Sequence, residues 1–262
     1  MSRVVEFIED KTKYWDLIKI LVRRELTVKY RGSILGYLWS MLNPLLFMLI
    51  ISVVFSFVVR GIEDYNLFVL SGILFWNFIS LSLNLGVSSI VRNGSLATKV
   101  KVPLWIFPVV PVFFAVSNLL LSLIPYVLLY IVKGRSLPSE LWLAPFVMGC
   151  TLVFLSGITL ALSMMNVFFR DVQHILEPLL TLLFYASPVI YMRTSKDMPQ
   201  VVSDLLLFNP FTHFVEAFRA TVYGGAHISL KEAGILVTLA LSSSVIGWLC
   251  FRAGRKQVAF NL

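Results

Sequence analysis

Five long stretches of this chain carry no charged residue: Gly32 to Val59, Tyr65 to Val91, Val102 to Val132, Leu141 to Phe169 and Ala233 to Phe251. Each is near or beyond the roughly 20 apolar residues that a helix needs to cross hydrocarbon. The pattern therefore predicts five membrane-spanning helices. A sixth is predicted from about Val172 to Tyr191, where the single charge, Glu177, lies close enough to one end to reach headgroups or water.

Between these stretches the pattern changes. From Lys13 to Tyr30, Tyr14, Trp15, Ile18, Leu21, Val22 and Leu26 fall at helical spacing against Asp16, Lys19, Arg23, Arg24 and Lys29, which predicts an amphipathic helix lying along the membrane surface. The connection Arg92 to Pro108 holds a helix-compatible run, Ser95 to Val100, between an Asn-Gly turn and Pro103. Pro108 and Pro111 predict an irregular start for the third span. The stretch Leu207 to Gly225 is apolar in bulk, but Pro210, His213, Glu216 and Arg219 interrupt it. It is expected to dip into the membrane and return, with Glu216 and Arg219 facing each other three residues apart on one helix. Pro44 is expected to loosen the first span, with Asn43 meeting the backbone group left unpaired.

Composition agrees with this reading. Charged residues make up 14% of the 262 positions, against about 25% in a soluble domain, and the mean hydropathy is +0.85. The fold expected is an all-α integral membrane protein: a segment 1–33 with the amphipathic helix, a six-span unit 34–252, and a tail 253–262. The beginning of the chain has no continuous apolar core of a secretory signal. If both termini lie on the cytoplasmic side, 15 of the 22 Lys and Arg residues fall on that side. The net charge of +8 is then topological, flanking spans without forming one patch, and nucleic acid is not an expected partner.

Recognisable enzyme chemistry is absent from the sequence. It has no GxxxxGK[ST] phosphate loop, HExxH, GxSxG or carboxylate pair within a span. Cys150 and Cys250 are read as membrane-core residues, and His174, His213 and His227 stand apart, so no catalytic group and no metal site are expected. Aromatic residues are plentiful, with 21 Phe, 9 Tyr and 6 Trp. Tyr37, Trp39, Phe47, Phe75, Trp76, Phe184, Tyr185 and Tyr191, with Asn43, are placed where they could line a passage, because flat aromatic faces let sugar rings slide past. A lipid-facing belt is the competing reading of the same residues.

Four stretches in order, LVRRELTVKYRGSILGYLWSMLNPLL from Leu21, ATKVKVPLWIFP from Ala97, FFRDVQHILEPLLTLLFYASPVIY from Phe168 and NPFTHFVEAFRATVYG from Asn209, resemble the ABC-2 type permeases of polysaccharide export, above all the O-antigen and teichoic acid exporter subunits. The resemblance covers essentially the whole chain. It implies a multi-pass homodimer in the bacterial inner membrane, joined to two copies of a separate cytoplasmic ATPase that binds the ATP and Mg, and moving a polyprenyl-pyrophosphate-linked glycan. It also implies a gate helix over Tyr14 to Tyr30, and a coupling helix at about 95–101 with Ser95, Thr98, Lys99 and Lys101 meeting the ATPase. Re-entrant gate helices at about 197–225 would include Asn209, Pro210, His213, Glu216 and Arg219. Charge and position single out Arg31, with Arg23 and Arg24, for the lipid pyrophosphate.

Two other classes stay open on the sequence. One is an ABC-2 permease for a drug, lipid or other small amphiphile, and the other is a membrane enzyme acting on polyprenyl-phosphate sugars. The second would need paired acids or a metal-binding aspartate set, and the adjacent acids Glu9 with Asp10 and Glu63 with Asp64 lack supporting chemistry.

Overall fold

A computed structural model describes residues 2–55, 62–94, 96, 102–194, 198–255 and 258. Its regular structure is helical: α1 (Ser2–Tyr30), α2 (Leu38–Phe55), α3 (Tyr65–Val87), α4 (Ser89–Arg92), α5 (Ile106–Val132), α6 (Ala144–Phe168, entered through a 3-10 turn at Leu141–Leu143), α7 (Asp171–Tyr185), α8 (Gln200–Leu206), α9 (Pro210–Val222) and α10 (Leu230–Gly254). Among the described residues there is no strand.

Among the described residues four helical stretches are long and apolar enough to cross a membrane, Tyr65–Val87, Ile106–Val132, Leu141–Phe168 and Leu230–Gly254. The fifth of the expected spans is shorter, and the first is described only as far as Phe55. Helix α7 has 15 residues, about 22 Å at 1.5 Å per residue, against about 30 Å of hydrocarbon.

Helix α3 is the centre of the bundle. Its side chains from Leu67 to Trp76 are all buried, and α2, α5, α6, α7 and α9 pack around it. Helices α6 and α10 lie against each other through small residues: a Cβ on Gly157 would collide with the backbone of Ser243, and one on Gly247 with the backbone of Gly157. Small residues four apart, Ser243 and Gly247, thus allow backbone contact in a setting where packing, not hydrophobic exclusion, must hold helices together.

The third span begins regularly, contrary to the irregular start expected. Pro108 falls in the first turn of α5, where no helical partner for its N–H is required, and the helix runs on through Pro111 and Pro125. Helix α10 opens with a full capping box, in which Ser229 Oγ accepts from the Glu232 N–H and the Glu232 carboxylate accepts from the Ser229 N–H.

Chain direction sorts the bundle into two ends. Helix α1, the α4 turn, the start of α5 and the end of α10 gather at one, where Ile90, Phe107, Met164 and Phe251 form a small apolar cluster. Helix α9, the start of α3, the end of α5 and the loop after α7 gather at the other.

Candidate functional site

At the first end, α1 leans along the opening half of α5. Tyr14 meets Trp105 edge-on at 6.1 Å, Ile18 and Leu21 cluster with Ile106 and Val110, and Lys29 and Tyr30 reach Asn118. The amphipathic stripe read from the sequence is the face that packs. Asn118 Oδ1 accepts from Lys29 Nζ at 3.0 Å and from the Tyr30 hydroxyl at 2.8 Å. Burial pulls the Lys29 ammonium below the usual lysine range. The chain then reverses into α2 through Gly32 at φ 76° and Gly36 at φ 48°. An added Cβ at either would have open space around it, so these glycines are required for backbone conformation alone.

Between α2, α3 and α5 lies a cleft of about 380 Å³. Each helix contributes a polar stripe at helical spacing: Ser40 and Asn43 from α2, Asn77, Ser80 and Asn84 from α3, Asn118 and Ser122 from α5, with Lys29 of α1 at the rim. Trp39, 41% exposed, forms part of the wall. Pro44 explains how α2 is fastened here. Proline has no N–H, so the Ser40 carbonyl loses its helical donor, and Ser122 Oγ of α5 donates to it at 2.7 Å. Ser122, and not the Asn43 expected from the sequence, meets the unpaired group.

The aromatic residues expected along a passage fall into different surroundings. Phe75 is fully buried, stacked on Phe218 at 4.3 Å with the planes 13° apart, which takes it off any surface in this conformation. Trp76, also buried, meets Phe184 and Phe211 edge-on. Phe47 touches Phe184 at 6.3 Å, tying α2 to α7. Tyr37 lies against Tyr30 at 4.7 Å in the turn, Tyr185 is exposed, and the Tyr191 hydroxyl donates to the Tyr185 carbonyl. Of the aromatic set, only Trp39 borders the polar cleft, with Asn43 beside it.

At the opposite end, α9 holds the loop that leaves α7. Asn209 caps α9 by accepting from the Phe211 N–H at 3.0 Å, with Pro210 in the first turn, and its amide donates to the Ala186 carbonyl and to Ser187 Oγ. Glu216 and Arg219 do not pair. Glu216 takes a two-pronged contact from Arg193, at 3.0 and 3.3 Å. Arg219, buried, donates at 2.6 Å to the carbonyls of Pro188 and Val189, and its guanidinium lies 3.8 Å from the centre of the Phe68 ring. Three-residue spacing allowed the expected pair, but the carbonyls just beyond α7 offer the buried cation a better-matched set of acceptors. A Cβ on Gly72 of α3 would collide with the Val189 oxygen and the Arg219 guanidinium, so glycine makes room for this joint. His213, partly buried, lies 3.0 Å from the Leu207 carbonyl.

The ABC-2 type transporter family matches residues 16–223, a stretch that contains the cleft, α1 from Asp16 and all of α9. The chain belongs to that family. Over 263 residues it is 34% identical to the O-antigen export system permease protein RfbA of Myxococcus xanthus, covering 99% of this chain and 100% of the relative. It is 28% identical over 248 residues to RfbA of Klebsiella pneumoniae, with 94% of each chain covered. It is also 28% identical over 253 residues to the polysialic acid transport protein KpsM of Escherichia coli, covering 92% of this chain and 94% of the relative.

In this ABC-2 chain the basic residues singled out from the sequence part company. Arg23 and Arg31 are exposed. Arg24 is engaged: it contacts Glu25 at 3.2 Å and donates to Asn93 Oδ1 at 3.1 Å, while Arg92 lies 3.6 Å from Glu25. Helix α1 is thus fastened to the chain just ahead of the expected coupling helix. Ser95, Thr98, Lys99 and Lys101 lie outside the described residues. Sequence reasoning missed Asn77, Ser80, Asn84, Asn118 and Ser122. The available signal was a polar stripe at positions 77, 80 and 84 of an otherwise apolar ABC-2 helix.

Proposed function

We propose that the chain is the membrane subunit of an exporter that carries a polyprenyl-pyrophosphate-linked polysaccharide, O-antigen-like or teichoic-acid-like, out of the bacterial cytoplasm across the inner membrane. End-to-end likeness to the Myxococcus xanthus O-antigen export permease carries this reading. Likeness to the polysialic acid transport protein supports a glycan cargo over a small amphiphile. On this reading two copies pair, six helices of each cross the membrane, and both termini are cytoplasmic. Two copies of a separate ATPase, holding ATP and Mg, dock at about 95–101.

The work then comes from the difference in ATPase affinity for two conformations of the permease. Force applied beyond Asn93 passes to α1 through the Arg24–Asn93 and Arg92–Glu25 contacts, and from α1 to the cleft through Lys29. The test is reconstitution of the full-length chain with the ATPase that co-purifies with it, in proteoliposomes carrying a polyprenyl-diphosphate-linked oligosaccharide. ATP-dependent movement of the glycan to the opposite leaflet is expected. An intact complex that hydrolyses ATP without moving the glycan would overturn the reading.

A further inference from the structure

The polar cleft holds more hydrogen-bonding capacity than the fold uses. Along α3 the side chains from Leu67 to Ile79 are buried with one exception, Asn77, which is exposed into the cleft; Asn84, two turns on, is the next exposed residue of that helix. Asn43 of α2 is exposed beside them. Among the described residues no side-chain hydrogen bond is formed by Asn43 or Asn77, and Asn84 only donates to Ser80 Oγ at 3.2 Å. A primary amide carries two donors and an acceptor with two lone pairs, and polar side chains on otherwise apolar membrane helices face the bundle interior or a water-filled cavity. Two amides without a side-chain partner and a third with capacity to spare, turned to one space on helices that are otherwise apolar, suit an occupant that hydrogen-bonds.

The character of the wall narrows the occupant. Amides and hydroxyls that both donate and accept match vicinal hydroxyl groups, and Trp39 offers the flat face against which a sugar ring lies. Among the described residues Lys29 is the one charged residue in the wall, and it stands at the rim beside Asn118. The volume, about 380 Å³, lies within the roughly 300–1,000 Å³ of small-molecule sites. An anion site proper would present several cations, and a fatty-acyl groove would present none of these amides.

We propose that this cleft binds the first sugars of a lipid-linked glycan: Asn43, Asn77 and Asn84 hydrogen-bond the sugar hydroxyls against Trp39, and Lys29 at the rim meets the neighbouring phosphate. The proposal rests on the polysaccharide reading above and adds to it where the cargo is recognised. It also moves the phosphate contact from Arg31 to Lys29, since Arg31 lies in the turn and is absent from the cleft wall.

The test uses the full-length protein in nanodiscs and three probes: polyprenyl diphosphate N-acetylglucosamine, the same polyprenyl diphosphate without sugar, and phosphatidylglycerol as competitor. Wild type is expected to prefer the sugar-bearing probe by about tenfold, the worth of one or two net hydrogen bonds. The double variant Asn77→Leu, Asn84→Leu should lose that preference while still binding the sugar-free diphosphate. Both positions are exposed, so leucine there leaves the buried core of α3 intact, and the melting temperature checks this. Lys29→Gln should weaken both diphosphate probes alike, several-fold, and leave the preference in place. A preference that survives the double variant, a wild type that does not distinguish the two diphosphates, or full displacement of the sugar probe by an equal amount of phosphatidylglycerol would each overturn the proposal. The broader reading fails on a different readout, ATP-driven movement of glycan between leaflets, so the two failures are told apart.

Discussion

Ser122 of α5 donates to the Ser40 carbonyl of α2, the group that Pro44 leaves without its helical partner. Its hydroxyl also lies 2.8 Å from the Asn118 carbonyl, so one proton serves the join between two helices and the local turn. A proline in a membrane helix is tolerated where a neighbour supplies the missing hydrogen bond, and here the neighbour is identified.

This relationship predicts a non-additive pair. Ser122→Ala should destabilise the protein by about 1–3 kcal/mol, the cost of orphaning a buried acceptor. In a Pro44→Ala background, where residue 44 regains an N–H for Ser40, the same change should cost measurably less. Reversible unfolding in detergent for the four proteins of the cycle decides it; equal costs in both backgrounds would show that Pro44 and Ser122 act independently.

Arg219→Met is expected to lower stability by about 1–3 kcal/mol for each of the two carbonyls it leaves unpaired, and to free the loop after α7. Gly72→Ala should have the same consequence from the other side, by forcing a methyl group between α3 and the Arg219–Val189 contact. Faster backbone hydrogen exchange at 186–191 in both variants is the shared signature. Variants with normal exchange there would contradict the joint.

Two glycines of α10 should respond oppositely to alanine. Gly247→Ala places a methyl group against the Gly157 backbone and is expected to lower the yield of folded protein and the melting temperature. Gly234→Ala meets open space within the helix and should stabilise by about 0.5–1 kcal/mol through helix propensity. Thermal unfolding of the two single variants is sufficient.

Arg24→Ala combined with Asn93→Ala should leave the complex with the ATPase intact and cut ATP-driven export several-fold, if α1 is moved through that contact. Co-purification measures the first and leaflet transfer of glycan the second. Full export activity in the double variant would remove the contact from the pathway of force.

The order and approximate limits of the helices were legible because membrane helices announce themselves by runs without charge, and the four longest runs in the structure follow them closely. The Asn209–Pro210 start of α9 carries a local signal too, a capping residue followed by a proline that needs no donor, although Pro210 reads at first only as an interruption of the apolar stretch. What could not be read along the chain is what helices do to one another. Asn118 and Ser122 each look like a stray polar residue in an apolar run, and only the packing of α2, α3 and α5 turns them to the space that the 77, 80 and 84 stripe of α3 faces. Glu216 and Arg219 satisfied a valid local rule, yet their partners, Arg193 and the carbonyls at 188 and 189, come from a loop that tertiary structure brings alongside. Phe75 is buried against Phe218, a placement that apolar content alone does not reveal because it does not separate the face that packs from the face that is free.

The contact between Lys29 and Asn118 has an electrical side. Asn118 is the thirteenth residue of the 27 in α5, about 18 Å along the helix from Ile106, so the end of α1 brings an ammonium group alongside the middle of a membrane-length helix. A unit charge that crosses the whole membrane exchanges about 2.3 kcal/mol with a potential of 100 mV, and half that depth would exchange on the order of 1 kcal/mol. If α5 spans the bilayer, a swing of α1 that carried a protonated Lys29 from this contact toward either face would be weighted by the voltage across the bilayer. In that case an energised membrane and a depolarised one would weight the Lys29–Asn118 contact differently.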